Sequence, residues 1–134
     1  MKAPKLLCAS ATALLLAMGP GHAQTPLRDV AHVRDGIIWV GMAYEISDKC
    51  DDLRARLFRG LGYLNSLKRH AERLGYSDAE IEAYIDDRVE KARLEDIVRA
   101  NLAALGVVEG VQETYCTVGQ AQIDAKTRVG WLLR

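Results

Sequence analysis

Residues 52–81, DLRARLFRGLGYLNSLKRHAERLGYSDAEI, hold the most regular pattern in the chain and set its fold class. Leu53, Leu57, Leu61, Leu64, Leu67, Ala71 and Leu74 recur at steps of three and four, the spacing of one buried stripe on an amphipathic helix over Asp52 to Leu74. Arg54, Arg56, Arg59, Lys68, Arg69 and Arg73 fall mostly off that stripe. Gly60 and Gly62 interrupt it at about 1 kcal/mol each relative to alanine, and close approach of a neighbouring helix is the expected compensation. Gly75-Tyr76 stops the pattern. Ser77-Asp78-Ala79-Glu80 then spells a capping box, in which the serine oxygen and the glutamate carboxylate each satisfy an orphan amide. Tyr76 and Ile81 stand where a hydrophobic staple would put them.

Downstream, Ile81, Ile85, Val89 and Ala92 form a second stripe. Leu94, Ile97, Val98, Leu102 and Leu105 continue it on nearly the opposite face, so the third helix either kinks near Arg93–Asp96 or changes partners midway. Upstream, Val30, Val33, Ile37, Val40, Gly41 and Tyr44 predict a helix from near Asp29 to Lys49. Ile38, Trp39 and Met42 lie off that stripe, which suggests burial on more than one side. After Gly106–Gly110, a last helix is expected from about Gln112 to Leu132, with Tyr115, Val118, Ala121, Ala125, Val129 and Leu132 inward. Four helices with short connections predict an all-α fold, a small up-and-down four-helix bundle.

The chain opens with the signature of export. Lys2 and Lys5 precede an apolar run from Leu6 to Met18, too short to span a bilayer, and no acidic residue appears before Asp29. Gly19 and Pro20 break the run, and Gly21-His22-Ala23 supplies small residues where a signal peptidase reads, so cleavage is expected after Ala23. A single helical domain over residues 24–134, periplasmic or secreted, would remain. It carries 16 basic and 18 acidic side chains, a net charge of about −2. That balance gives no reason to expect nucleic acid or an anionic membrane surface as partner. No apolar stretch after Ala23 approaches eighteen residues, so no membrane span is expected there.

Cys8 would leave with the signal. Cys50 and Cys116 remain, and an even pair in an oxidising compartment reads as a disulfide. Their separation excludes a Cys-x-x-Cys redox site, and no nearby histidine completes a zinc site. The pair also agrees with the bundle: the end of the first helix and the start of the fourth would share one end.

The search for chemistry yields little. Gly60-Leu61-Gly62 lacks the third glycine and the preceding strand of a dinucleotide loop. Asp48, Asp51 and Asp52 do not have the spacing of a calcium loop and read as solvated helix ends. Asp78, Glu82, Asp86 and Glu90 form an acidic row along one side of the third helix, next to a basic second helix, and read as charge complementarity. His32 and His70 have no evident nucleophile partner, and Lys68, Arg69 and Arg73 would depress the basicity of His70. No catalytic residue, cofactor or metal is expected.

Several short runs together carry a resemblance: Pro26-Leu27-Arg28, Asp35-Gly36 leading to Val40-Gly41, and Ile46 with Cys50. Leu61-Gly62-Tyr63-Leu64-Asn65-Ser66-Leu67-Lys68, Leu74-Gly75-Tyr76-Ser77 with Glu80-Ile81, and Lys91-Ala92-Arg93 continue it. Cys116, Gly119, Ile123 and Val129-Gly130-Trp131-Leu132-Leu133 complete it. With these the chain resembles a family of short exported bacterial proteins of unknown function (domain of unknown function 5333); Arg99 to Val111 departs from the family's pattern. The resemblance implies an exported, two-cysteine architecture and lends no catalytic residues.

Three classes of function remain. The first is a non-enzymatic interaction module that binds an envelope protein through helical surface. The second is an acid- or stress-activated periplasmic chaperone, and the third, with the empty motif search against it, is a small enzyme. Trp131, Leu132 and Leu133 either finish the bundle core or meet a partner, because three large apolar groups at a chain end are costly to leave in water. Oligomeric state is left open.

Overall fold

The computed structural model describes residues 24–134; the expected signal segment and its cleavage site fall outside them. Within the described residues the chain forms a 3-10 turn, Leu27–Asp29, then six α-helices and no strand. These are α1 (Ala31–Lys49), α2 (Leu57–Arg73), α3 (Asp78–Asp86), α4 (Arg88–Ala104), α5 (Gln112–Asp124) and α6 (Arg128–Trp131). The fold is all-helical and closed by the Cys50–Cys116 disulfide, with Cα atoms 5.1 Å apart. None of the described helices is long and apolar enough to cross a membrane.

Helix α1 is the hub, and α2, α4, α5 and α6 all pack on it. One side of it, Ile38, Met42, Ala43 and Ile46, joins Leu102, Tyr115, Val118, Val129, Leu132 and Leu133 in the main core. Ile46 has no exposed surface, and burial of such a side chain stabilises by about 1.5–3 kcal/mol. A smaller core of Leu27, Val33, Ala71, Tyr76 and Ile81 closes the other end of α1. There the Tyr76 hydroxyl donates to the Thr25 carbonyl, and Gln24 Nε2 donates to Leu74 O at 3.2 Å, which ties the start of the described chain to the end of α2.

Glycine explains two close approaches. A Cβ on Gly119 would collide with Leu53 and stand 2.6 Å from Ile46, so α5 sits against α1 only because the side chain is missing. A Cβ on Gly130 would fall on the backbone of Gln122 and Ile123, because α6 folds back onto the end of α5.

Three of the four expected helices change. The second begins at Leu57, not Asp52: Leu53 dips into the core while Arg54 N–H donates to Arg134 O (2.8 Å) and Arg134 N–H to Arg54 O (2.9 Å). The long third helix breaks at Asp87, earlier than the expected Arg93–Asp96, because the Asp87 carboxylate caps α4 by accepting from Val89 N–H (2.9 Å) and Glu90 N–H (3.1 Å). The last helix stops at Asp124. Lys126 takes a left-handed φ of 53°, and Thr127 Oγ1 caps α6 by accepting from Gly130 N–H at 3.0 Å. The Ser77 capping box stands as expected: Glu80 N–H donates to Ser77 Oγ (3.2 Å) and Ser77 N–H to Glu80 Oε2 (2.7 Å).

Candidate functional site

Two of the most regular apolar stripes in the sequence do not close on each other. Helices α2 and α4 both pack on α1 and stand apart across it, leaving an open trough of about 800 Å3. Ile37, Gly41 and Tyr44 of α1 form its floor. Leu64, Leu67 and Ala71 of α2 form one wall; Leu94 and Val98 of α4, with Ile81 and Ile85 of α3, form the other. A Cβ on Gly41 would lie 2.8 Å from Val98 Cγ2, so α1 and α4 are drawn together by a missing side chain. Nothing lies within 4 Å of a Cβ placed on Gly60 or Gly62, so the close helix approach expected at those glycines does not occur within this chain.

Charge is confined to the lips of the trough. Lys68, Lys91 and Arg99 stand there with Glu45 and Glu95. Lys68 Nζ reaches Asp78 at 3.8 Å and Glu72 at 3.9 Å, and Arg99 pairs with Asp96 at 2.5 Å. The lining is otherwise apolar, so what this surface offers a ligand is burial, with mixed charge at the edge to set its orientation.

The residues singled out from sequence are placed as follows. Cys50 is fully buried and bonded to Cys116. Asp52 lies close to both sulfurs, but the sulfurs are bonded to one another and offer no thiolate to a cation. Asp51 accepts from Gln112 Nε2 at 3.1 Å, and Asp48 pairs with Lys49 at 2.8 Å. Leu132 and Leu133 are buried in the main core, while Trp131 remains 39 % exposed.

The acidic row is divided by the break at Asp87. Asp78 reaches Lys68 of α2, whereas Glu90 is buried, with 5 % of its surface exposed. Arg93 holds it bidentately, donating from Nε (2.9 Å) and Nη2 (2.6 Å), and Tyr84 adds a long bond at 3.4 Å. The Arg93 hydrogen bonds, working against burial, hold the Glu90 carboxyl below the ordinary glutamate range. Burial beside Glu90 pushes the Tyr84 phenol up to about 12.

Two clusters were missed from sequence. His32 of α1 and His70 of α2 stack with ring centroids 4.5 Å apart; partial desolvation, the neighbouring His32 and Arg73 lower the His70 pKa. Arg59 and Arg128 lie over the Trp131 ring at 4.8 and 5.0 Å, and Arg128 also over Tyr63 at 5.2 Å. The two histidines, and the α2 and α6 halves of the aromatic cluster, lie too far apart in the chain for any local spacing to pair them; only Arg128 with Trp131 and Arg59 with Tyr63 stand at helical spacing.

Fold and site together define a disulfide-closed all-α protein organised around one central helix, with an apolar trough between two of the helices packed on it. The chain belongs to a family of unknown function, DUF5333, whose model matches residues 25–134. Comparison with curated proteins and with solved structures found no match.

Proposed function

We propose that the chain is an exported, periplasmic, non-enzymatic interaction module, and that its trough receives an amphipathic helix of an envelope protein. One observation carries this reading: the α1 and α2 stripes that look like core in the sequence meet in a trough whose rim residues Tyr44, Leu64 and Ile85 no element of the described chain buries. Its floor from Ile37 to Tyr44 spans about 10 Å at 1.5 Å per residue, room for roughly two turns of a helix. A floor and two walls made of helices form the geometry into which a further helix packs ridges into grooves. Export is supported by the disulfide, which persists in oxidising compartments, and by the apolar opening segment.

A photo-crosslinking residue at Leu64, on the trough wall, tests this reading. In envelope preparations it should capture one partner through a peptide with apolar residues at helical spacing. Leu64→Arg should abolish capture without moving the urea midpoint, since Leu64 is already partly exposed. Capture through an extended or polar peptide, or capture unaffected by Leu64→Arg, would overturn it. A small apolar molecule recovered from the trough would assign it to a different ligand.

The chaperone reading has an observation of its own, the exposure of Leu57, Phe58 and Leu61. Suppression of client aggregation at low pH and not at pH 7 would favour it over the interaction module.

A further inference from the structure

The near-neutral charge of the chain hides a division. Residues 53–73 contain six basic side chains (Arg54, Arg56, Arg59, Lys68, Arg69 and Arg73) and one acidic, Glu72. At the start of this stretch the large apolar residues face water: Phe58 is 92 % exposed, Leu57 70 % and Leu61 58 %. None of the three lines the trough. At 100° per residue, Leu57 and Leu61 lie about 40° apart and Phe58 about 60° beyond, so they cover the outer side of the first two turns of α2. Gly62 adds no side chain beside them, and the space where its Cβ would project is open.

The C-terminal turn packs on another side of the same turns, that of Arg59 and Tyr63, about 100° or more round the helix from Phe58. Arg56 Nε donates to Leu133 O and Arg59 Nη1 to Trp131 O, both at 2.8 Å, which pins the tail to α2. Trp131 is thereby held at the surface between the Arg59 and Arg128 guanidinium groups. Large apolar tips with arginines next to them along the chain are features of a helix lying in a membrane interface. The apolar groups enter the boundary between headgroups and acyl chains, and the planar guanidinium groups grip phosphate oxygens bidentately.

We propose that the start of α2 seats this protein on an anionic phospholipid surface. The patch favours lipid over a protein partner on two counts. Leu57, Phe58 and Leu61 project outward, outside the trough, and form a raised surface, not a pocket for an anchoring side chain. The centres of protein interfaces are depleted of charge, whereas Leu57, Phe58 and Leu61 each have an arginine within two positions along the chain. The inference uses residues outside the trough and stands or falls separately from the function proposed for it.

Co-sedimentation of the disulfide-bonded protein with vesicles tests it. Vesicles of equal parts phosphatidylglycerol and phosphatidylcholine should pellet the protein, and phosphatidylcholine alone should not. Added salt should weaken the binding. Phe58→Asp should reduce it roughly tenfold or more, with Leu57→Ser as a second variant should the first fail to fold. Absence of pelleting, equal pelleting with the neutral vesicles, or undiminished binding by Phe58→Asp would overturn the proposal. A dimer in light scattering that Phe58→Asp returns to monomer would give the patch to a second copy of the chain and overturn it equally.

Discussion

Replacing Cys50 and Cys116 together by alanine should cost this protein a large part of its stability. The bond joins residues 66 apart in sequence, and closing a loop of that length removes roughly 14–15 cal/mol/K from the unfolded chain, about 4 kcal/mol at room temperature. Cys50 is fully buried among Ile46, Leu53 and Val118, so the alanine also loses packing. Against the 5–15 kcal/mol that holds an ordinary domain together, 4 kcal/mol is decisive. With a urea dependence of about 1–3 kcal/mol/M, the midpoint should fall by roughly 2 M, read by circular dichroism on the oxidised protein and on the double variant. A loss below about 1 kcal/mol at unchanged urea dependence would refute the loop-entropy argument and show that packing alone fixes the start of α5 on the end of α1. Thiol titration of the denatured, unreduced protein supplies the companion test. It should find no free sulfhydryl after cleavage behind Ala23 and one, Cys8, in the uncleaved chain; any further thiol would contradict the bond.

Other perturbations separate local from tertiary effects. Ser77→Ala should lower stability by about 1 kcal/mol in chemical denaturation by leaving an α3 amide without its acceptor; no change in midpoint would mean that the cap is dispensable. Gly130→Ala should lower it by at least about 2 kcal/mol, because the added carbon meets backbone that cannot rotate away. Gly62→Ala, in open space within a helix, should instead raise stability by about 0.5–1 kcal/mol, and the same sign for both glycines would invalidate the distinction. Glu90 is more acidic folded than unfolded because of Arg93. Its contribution is therefore complete above the unfolded glutamate pKa of about 4.3 and fades as the pH falls through the lower folded value. Glu90→Gln should flatten that acid limb of a stability–pH profile, and an unaltered limb would exclude the Glu90–Arg93 pair as its source.

Helical class, capping box and disulfide were legible because each depends on short spacing or on simple counting. The breaks were less so. The shift of apolar phase between Ile81–Ala92 and Leu94–Leu105 announced a discontinuity, but periodicity locates one only to within a turn or two. Asp87 marks the break by accepting hydrogen bonds from the Val89 and Glu90 amides, a cap that leaves no trace in the apolar periodicity. Thr127 held a usable signal, a capping residue ahead of Arg128, masked by Val129 and Leu132 continuing the stripe of α5. Leu53 continued the α2 stripe by its four-residue step from Leu57, yet it precedes the helix, in a segment held by the Arg134 backbone and by Ala55 N–H donating to Ser47 Oγ at 2.9 Å.

The surfaces were hidden for a more general reason. A helical stripe reports that one side of a helix avoids water, not what covers it. Ile46 and Leu102 lie on helices whose partners belong to this chain and disappear into the core; Leu64 and Ile85 have the same spacing and border an open trough. Net charge fails in the same way, because it averages over the fold. Residues 53–73 carry an excess of five positive charges, and residues 77–96, with eight acidic and three basic side chains, an equal excess of negative ones. The two nearly cancel in the total, but the chain places them on successive helices. An anionic surface approaching the protein would meet the field of whichever helix it faces, since charges farther away than a Debye length of about 8 Å are screened at physiological salt. Charge counted helix by helix, and exposed apolar residues counted beside it, are therefore the quantities that bear on what this protein touches.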